Sequence, residues 1–477
     1  MKYLSKSQYM SGLEGDAYLW LVVNRPDRIP EPDFSSKDRM EQGIMVERTA
    51  KSLYDGFDLS SYSFEENVGK ARALMNDRVL FEPVFVYGSC YCRCDVLVPV
   101  EDGFDLIEVK SSARVKDKHL VDLAFQRYVL EGAGVKIRNY YVMHLNNKYV
   151  KGKELDLNEL FSKKDVSEEV RGIDVSEEVE HMLKVIDYEE MPDFDVFDIS
   201  KSDYGNVLID EFYEKLPECS VFDLYSLNTK EKCKLYDEGI VTLDQVPFDF
   251  ELTAKQRVQV DACRKGEVLA EERVKDFLYR LEEPVIHLDF EAFQLAIPEF
   301  EGTSSYEQIP FQYSMHIERE SLEHKEFLYD GNGDPRKDFI ESLKENMPEK
   351  GSILVYHKSF ENTILKKVAK AYPEYKEFVE GIVDRVVDLK TPFANFWYYH
   401  KDQRGSNSIK KVLPIFSEEN HKDLEISDGQ QAMITYRENR GNLSNKVKEE
   451  LLEYCKLDTY AMVEILNGLR SKVNHLS

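Results

Sequence analysis

The sequence predicts an α/β protein with more than one domain. Its 477 residues exceed the roughly 100 to 200 residues of an ordinary domain. Strand and helix periodicities alternate in the first and last thirds of the chain, and a charged, helix-rich stretch separates them. We therefore expect an α/β domain over residues 1–160, a charged linker with a small helical connector over 161–282, and a second α/β domain over 283–477.

In the first domain, hydrophobic periodicity predicts an upstream helix, four strands and a second helix. The helices are expected at 42–53 and 120–133, and the strands at 79–86, 90–98, 104–109 and 139–145. Residues 157–190 are rich in Asp, Glu, Lys and Ser, which predicts a charged helical or flexible segment.

The rest of the chain predicts short helices and then a return to strands. The short helices are expected at 207–216, 221–227, 229–238, 243–246 and 253–266. The strands of the last domain are expected at 284–290, 311–317 and 352–356, and its helices end with 446–466.

Composition limits the possible functions. No run of some 18 apolar residues is present, so no membrane span is expected, and the charged amino terminus lacks a secretory core, which favours the cytoplasm. Seven cysteines form no regular framework, which favours reduced thiols. A net charge of −27 disfavours tight nonspecific coating of nucleic acid, but the basic stretches 110–118 and 401–411 could still meet phosphates.

A first group of charged residues lies on two predicted strands. Asp95 lies on one of them, and Glu108 and Lys110 share a face of the next because strand side chains alternate. Two carboxylates can hold a hard divalent cation, while the ammonium can orient the attacking water. A cross-strand salt bridge on a solvated face explains an isolated motif of this kind equally well.

Neighbouring residues give this group a family resemblance. Gln126 and Tyr128 lie in the following predicted helix, and Glu47 lies in the upstream one. The stretch resembles the RecB-like branch of the PD-(D/E)xK nuclease superfamily, which implies a restriction-endonuclease-like α/β core. The resemblance implies metal ligands at Asp95, Glu108 and Glu47, the last where many relatives have histidine, catalytic roles for Glu108, Lys110 and Gln126, and nucleic-acid contact by Tyr128.

Cysteine positions argue against a metal–sulfur centre in this domain. Several RecB-like proteins hold an iron–sulfur cluster, but Gly15 stands where its first cysteine would be expected and no cysteine trio follows the helix of Gln126. We expect no cluster. Cys90, Cys92 and Cys94 lie along one extended strand and span about 13 Å, too far for one zinc ion, so core packing is the preferred interpretation.

A second group of carboxylates is spread over the last domain. Asp289 and Glu291 end an apolar strand on one face, and Tyr454 and Asp458 share a helical face because four residues separate them. A two-metal phosphodiesterase needs carboxylates from separated elements to hold cations about 3.5 to 4 Å apart. Each piece occurs often by chance, whereas their ordered combination is far less common.

This part resembles the DnaQ-like 3′-to-5′ exonucleases of the DEDD class that carry tyrosine in the last motif, which implies an RNase H-like fold. By that resemblance Tyr454 orients the attacking water and Asp289 is catalytic. Glu361 stands where an aspartate is usual, Asp388 is a weaker candidate, and Ser408 and Lys410 are expected beside the substrate strand. The implied metal ligands are Asp289, Glu291, Glu361 and Asp458.

Together the two parts resemble an uncharacterised bacterial family that fuses a RecB-like nuclease domain to a DnaQ-like exonuclease domain. The resemblance implies a Mg²⁺- or Mn²⁺-dependent nuclease without an organic cofactor, acting on nucleic acid, with single-stranded DNA favoured over RNA. The alternative is a nucleic-acid-binding scaffold with one or both centres inactive, which the acidic balance and Glu361 favour. The sequence carries no signal for the oligomeric state.

Overall fold

The structure, a computed structural model, describes residues 2–194, 196, 207–419 and 424–474. The chain divides into two compact units, one of Met1–Lys215 with Leu295–Glu307, the other of Leu216–Gln294 with Gln308–Ser477. Each unit combines mixed sheets with helices, which confirms the prediction of a multidomain α/β protein. Within the described residues, no helix is long and apolar enough to cross a membrane.

The first unit is built on a six-stranded sheet of order β2-β3-β6-β7-β8-β9 and a three-stranded sheet of order β1-β5-β4. Strand β7 lies near the middle of the larger sheet, antiparallel to β6 and parallel to β8. The strands are β1 (Leu4–Ser5), β2 (Gly56–Asp58), β3 (Val79–Phe81), β4 (Val84–Tyr87), β5 (Cys90–Arg93), β6 (Val96–Val100), β7 (Gly103–Lys110), β8 (Ile137–Leu145) and β9 (Phe161–Asp165).

Helices cover these sheets. The described helices of this unit are Lys6–Gly12, Asp16–Asn24, Phe34–Lys51, Phe64–Leu74, Asp117–Gly132, Leu157–Leu160, Ser167–Arg171, Ser176–Val185 and Val207–Glu214, with a 3₁₀ turn at Pro26–Arg28. The predicted helices at 42–53 and 120–133 are thereby confirmed. The fully buried Cys92 and Cys94 and the nearly buried Cys90 lie in the main hydrophobic core of this unit, which confirms the packing interpretation.

Two expected strands are each divided in the structure. Residues 79–86 form β3 and β4, which belong to different sheets, and residues 90–98 form β5 and β6 in the same way. The backbone changes sheet at Glu82, whose φ is 57°, and at Pro83, which has no N–H to donate to a ladder. The break matters because it leaves Asp95 at the start of β6, beside Glu82.

Residues 157–190 were predicted to be a charged helical or flexible segment, and the structure shows helices together with one strand, Phe161–Asp165. Strand β9 pairs antiparallel with β8 and forms one edge of the six-stranded sheet. The following helices bury Val170, Val179 and Val185 in the main core. Val179, Met182 and Ile186 recur at helical spacing within the charged sequence, and their burial outweighs the surrounding charge.

The second unit contains a five-stranded sheet of order β13-β12-β11-β14-β15 and a two-stranded sheet of β10 and β16. Strand β11 is central; it runs antiparallel to β12 and parallel to β14, which in turn is parallel to β15. The strands are β10 (Glu267–Leu269), β11 (Val285–Phe293), β12 (Ile309–Glu318), β13 (Leu322–Leu328), β14 (Ile353–Val355), β15 (Val386–Asp388) and β16 (Tyr398–His400).

The short helices expected over 207–266 are confirmed, with two of them reduced to 3₁₀ turns. The described helices of the second unit are Thr229–Asp237, Ala254–Lys265, Glu271–Tyr279, Arg336–Asn346, Lys358–Ala371, Lys376–Val383, Thr391–Ala394, Ile409–Val412, Gly429–Asn439 and Asn445–Asn474. The 3₁₀ turns are Val221–Asp223, Leu243–Gln245, Pro373–Tyr375, Lys401–Gln403 and Leu413–Ile415.

One cysteine pair departs from the expected reduced state. Cys219 and Cys263 form a disulfide, and their Cα atoms lie 6.2 Å apart. The two cysteines are 44 residues apart in sequence, so no local spacing predicted the disulfide. Cys263 lies in the Ala254–Lys265 helix, and the fold of this unit brings that helix next to Cys219. The other five cysteines are free and buried, as expected.

Candidate active sites

The first site forms where β6 and β7 run side by side. Asp95 immediately precedes β6, and its Oδ2 accepts a hydrogen bond of 2.7 Å from the backbone N–H of Val109. Glu108 and Lys110 flank Val109 on β7 and point to one face, as strand alternation requires. The structure therefore brings together the three residues of the first predicted motif.

Glu108 is the most heavily bonded carboxylate of this site. It is 1% exposed, and its Oε1 accepts hydrogen bonds of 2.7 Å from both Lys6 and Lys110. Its Oε2 accepts a third, of 2.8 Å, from the side chain of Gln126. Burial alone would raise the pKa of Glu108, but the two ammonium groups outweigh burial and hold that pKa well below its usual range.

Two members of the site, Lys6 and Asp122, are absent from the sequence prediction. Asp122 accepts from Lys110 at 2.7 Å and from Gln126 at 2.9 Å, and Lys6 Nζ lies 3.7 Å from it. Asp122 was detectable, because it precedes Gln126 by one helical turn and must share its face. No sequence signal links Lys6 to the site; Ser5 caps its helix and β1 pairs with β5, which together place it there.

A second acidic group adjoins Asp95. Carboxylate oxygens of Glu47, Glu82 and Asp95 all lie within 4.8 Å of one another. Lys51 pairs with Glu47 and, at 2.6 Å, with Glu82. Burial is the main reason that the pKa of Glu82 rises to about 7. Glu47 is thus close to Asp95, as the motif predicted, and Glu82 is an additional candidate ligand.

Tyr128 does not join this site. It lies two residues beyond Gln126 in the same helix, a rotation of about 200° that turns it to the opposite face. There its ring packs edge-to-face on Tyr87, with centroids 5.5 Å apart. The geometry therefore gives no support to nucleic-acid contact by Tyr128 at this centre.

The second site forms on the central strand β11. Asp289 and Glu291 point to one face, and Tyr454 and Asp458 come from the long helix Asn445–Asn474. Burial raises the pKa of Asp289 strongly, and the negative charges of Asp458, Glu291 and Glu361 raise it further, so these three acids lie close enough to Asp289 to repel its charge. The structure thus brings together the predicted carboxylates of the second motif set.

Glu361 is a buried carboxylate with an unsatisfied oxygen. It lies in the first turn of the Lys358–Ala371 helix, is 2% exposed, and its Oε2 has no hydrogen-bond partner among the described residues. Burial, with a smaller contribution from Asp388, raises its pKa to about 8. A buried, unpaired carboxylate is costly unless a cation meets it, so glutamate fits the ligand position here despite its extra methylene.

Tyr454 is 4% exposed and hydrogen-bonds to Asp458. Burial raises its pKa strongly, and Asp458 and Glu291 add to the rise, so the hydroxyl stays protonated. The helix Gly429–Asn439 begins beside it: a Cβ on Gly429 would lie 3.7 Å from both the Tyr454 hydroxyl and Glu291 Oε2. This close approach of backbone narrows the site around the hydroxyl.

The remaining candidates have distinct positions. Asp388 accepts hydrogen bonds from the backbone N–H groups of Lys358 (3.2 Å) and Lys390 (2.9 Å), a capping role. Ser408 is the N-cap residue of the Ile409–Val412 helix. Lys410 donates to the carbonyl of Ser427 at 2.8 Å. Burial and Asp458 raise the pKa of Glu291, and the charge of Lys410 offsets part of that rise, which places the ammonium near the acids.

Both sites have donor sets that fit Mg²⁺ or Mn²⁺, since their main donors are carboxylate oxygens. Their charge balance differs. In the first site Lys6, Lys51 and Lys110 are paired with the acids. In the second site the negative charges of Asp458, Glu291 and Glu361 act on Asp289, and Glu361 Oε2 has no hydrogen-bond partner among the described residues.

Comparisons with known proteins give relatives without a described function. A domain of unknown function (DUF2779) matches residues 286–408, a segment that includes Asp289, Glu291 and Glu361. Uncharacterized protein MG366 of Mycoplasma genitalium is 30% identical over 220 residues, which cover 41% of this chain and 33% of the relative. Its homolog in Mycoplasma pneumoniae is 26% identical over 219 residues, 40% of this chain and 33% of the relative.

A more distant relative, uncharacterized protein UU173 of Ureaplasma parvum, is 24% identical over 262 residues, 47% of this chain and 37% of the relative. This chain spans about a third of the length of these three relatives. Among solved structures, the family B DNA polymerase of Pyrobaculum calidifontis aligns with a TM-score of 0.28 and 15% identity, over 40% of this chain and 24% of the polymerase chain.

Proposed function

We propose that this chain is a divalent-metal-dependent nuclease, an exodeoxyribonuclease-like hydrolase with one centre in each unit. The observation that carries the proposal is the convergence of Asp289, Glu291, Glu361 and Asp458, with Tyr454 hydrogen-bonded to the last. Buried acids that repel one another stabilise a fold poorly, so their arrangement supports a chemical role. Hydrolysis of a phosphodiester between two cations is the reaction that such a set serves best.

The fold assignments belong to the same proposal. We assign the second unit to the RNase H-like exonucleases of the DnaQ type, because the central strand β11 and the long helix supply the acids from separate elements. We assign the first unit to the RecB-like PD-(D/E)xK nucleases, because β6 and β7 join Asp95 to Glu108 and Lys110. The fusion of these two nuclease types in one chain follows from both assignments.

In the second centre Asp289, Glu291, Glu361 and Asp458 would hold the cations. When bound, divalent cations neutralise charge on the phosphoryl group and lower the pKa of the attacking water. The Tyr454 hydroxyl remains protonated and is positioned to orient that water, with Asp458 fixing its direction. Lys410 brings a positive charge to the same centre, which suits contact with a phosphate of the substrate strand.

In the first centre Asp95 and Glu108 would hold a cation, with Glu47 and Glu82 adjacent. Gln126 fixes the carboxylate of Glu108 through a hydrogen bond of 2.8 Å. Lys110 stays protonated, since its carboxylate neighbours raise its pKa against the effect of burial. Its ammonium can therefore orient water or stabilise negative charge that develops on the phosphate.

The test uses end-labelled single-stranded DNA with Mn²⁺ and four proteins: the wild type, Asp95→Asn, Asp289→Asn and the double variant. Each single variant should degrade DNA more slowly, and the double variant and EDTA-treated protein should be inactive. Asp102→Asn, an exposed acid of the first unit, is the matched control and should keep full activity. Labelled RNA run in parallel decides between the two polymers.

Unchanged degradation by both single variants would contradict the nuclease proposal. DNA binding by a wild type that does not cleave would instead support the alternative, a nucleic-acid-binding scaffold with inactive centres.

A further inference from the structure

A cysteine thiol lies inside the second centre. Cys455 follows Tyr454 in the long helix and is fully buried. Its Sγ lies 3.9 Å from Oδ2 of Asp289 and 4.0 Å from the Asp289 carbonyl oxygen. Donor atoms of Cys455, Asp289 and Glu291 all lie within 4.8 Å of one another. The centre therefore offers sulfur as well as oxygen to a cation.

The separation of these donors suits a tetrahedral ion. Zn²⁺ binds sulfur at about 2.3 Å and carboxylate oxygen at about 2.0 Å, so at a tetrahedral angle the two donors lie about 3.5 Å apart. The observed distance of 3.9 Å between Cys455 Sγ and Asp289 Oδ2 needs only a few tenths of an ångström of closure. Rotation of one side chain supplies such a movement.

An independent observation also points to a cation here. Glu361 is 2% exposed, its Oε2 has no hydrogen-bond partner among the described residues, and its charge acts on Asp289. Such an oxygen requires either a proton or a positive charge. Cys455, Asp289 and Glu291 supply three donor atoms to a site that takes four, and Glu361 adds a further carboxylate near Asp289.

The surroundings of Cys455 differ from those of a cysteine that only fills space. Cys90, Cys92 and Cys94 lie within the main hydrophobic core of the first unit, as buried free cysteines commonly do. The sulfur of Cys455 instead faces a carboxylate. If a metal displaces the thiol proton, the resulting thiolate changes the preference of a carboxylate site towards thiophilic metals.

We propose that the second centre binds a thiophilic divalent cation, Zn²⁺ or Cd²⁺, through the Cys455 thiolate together with Asp289 and Glu291, and that this cation inhibits the centre. Binding breaks the S–H bond, forms a sulfur–metal bond and releases one proton to solvent. The inhibition, but not the binding, rests on the proposed nuclease function, because the thiophilic ion competes with Mg²⁺ or Mn²⁺ for Asp289 and Glu291.

Binding is tested on the full chain with Co²⁺, whose thiolate complexes show a sulfur-to-metal charge-transfer absorption. The wild type should show this absorption and Zn²⁺ should remove it. Cys455→Ser should lack it, whereas Cys233→Ser, a matched change at another buried free cysteine, should keep it. In chelator competition, Cys455→Ser should bind Zn²⁺ at least about tenfold more weakly, since even loss of a group that only supports a ligand costs about that much.

Asp289→Asn keeps the thiol and provides a second variant if Cys455→Ser does not fold. It should also weaken Zn²⁺ binding at least about tenfold. Absence of the absorption in the wild type, or its persistence in Cys455→Ser, overturns the proposal. Circular dichroism of each metal-free variant establishes that it is folded.

Inhibition is measured separately, as Zn²⁺ titrated into Mn²⁺-supported DNA degradation by an Asp95→Asn background. Cys455→Ser should need at least about tenfold more Zn²⁺ for half-inhibition than Cys233→Ser. Degradation without the Co²⁺ absorption would contradict the thiophilic site alone. The absorption without degradation would contradict the nuclease function alone, so the two failures are distinguishable.

Discussion

At the scale of single residues, the hydroxyl of Tyr454 has a single protonation state available for chemistry. Burial and the neighbouring acids keep its hydroxyl protonated, so it can donate or accept a hydrogen bond but cannot serve as a base. Tyr454→Phe removes the hydroxyl and keeps the ring. We expect kcat of the second centre to fall about 100-fold or more, with little change in KM, because in the proposed mechanism the hydroxyl orients the attacking water.

The measurement is DNA degradation in an Asp95→Asn background. Tyr460→Phe, in the same helix but outside the centre, is the control and should retain full activity. Wild-type kcat in Tyr454→Phe would remove the tyrosine from the mechanism and leave the carboxylates as the only supported participants.

In the first centre, Lys6 is the residue whose charge should most directly affect metal binding. Its ammonium and that of Lys110 share the same oxygen of Glu108, so a cation that binds this carboxylate competes with both. Lys6→Met removes one competitor. We expect the Mn²⁺ concentration for half-maximal activity, measured in an Asp289→Asn background, to fall roughly tenfold, equivalent to about 1.4 kcal/mol.

Lys2→Met is the matched control, because Lys2 lies in the same segment but bonds to Asn24 and the carbonyl of Ile186. Its Mn²⁺ dependence should equal that of the wild type. A rise in the required Mn²⁺ for Lys6→Met would show that Lys6 supports the metal rather than competes with it.

At the scale of elements, strands β12 and β13 carry a buried polar cluster against the long helix. Ser314 bonds to His324 at 2.9 Å and to Thr459 at 2.8 Å, and His316 bonds to Thr459 at 2.8 Å. The pKa of His316 is lowered to about 3 and that of His324 to about 4, in both cases mainly by burial. Lys456 lowers both, and His287 also lowers that of His316.

This cluster makes the stability of the second unit sensitive to mild acid. In the unfolded chain the histidines titrate near pH 6.5, so between about pH 6.5 and about pH 4 the unfolded state binds more protons. The free energy of unfolding of the second unit should therefore decrease as the pH falls through that window. Thermal melts from pH 7 to pH 4 should show a shallower decline for His316→Gln/His324→Gln, and an equal decline would contradict the assigned states.

At the scale of the whole molecule, the two units hold their acids differently. Lysines neutralise much of the first centre, whereas the acids of the second repel one another. A ligand that binds only the folded state stabilises it, by about 2.7 kcal/mol at 100 times its Kd. Mn²⁺ should therefore raise the melting temperature of the second unit more than that of the first.

Calorimetry with and without Mn²⁺ measures this difference. The double variant Asp289→Asn/Asp458→Asn should lose the shift, and Asp402→Asn, an exposed acid of the same unit, should keep it. If Mn²⁺ raised the melting temperature of the first unit more than that of the second, the first unit would contain the tighter metal centre, contrary to this prediction.

Local pattern alone determined a large part of this molecule. Strand alternation put Glu108 and Lys110 on one face, and helical spacing paired Tyr454 with Asp458, because these relations depend only on backbone geometry. The short helices over 207–266 were equally accessible, since apolar periodicity and capping residues are local signals.

Tertiary structure decided what joins residues distant in sequence. Lys6 reaches Glu108 only because β1 pairs with β5, Cys455 meets Asp289 only because the long helix packs on β11, and Cys219 finds Cys263 across 44 residues. The division of two expected strands likewise depended on tertiary structure, because β3 and β6 pair in one sheet while β4 and β5 pair in another. Such contacts arise from the packing of whole elements, which no short window of sequence contains.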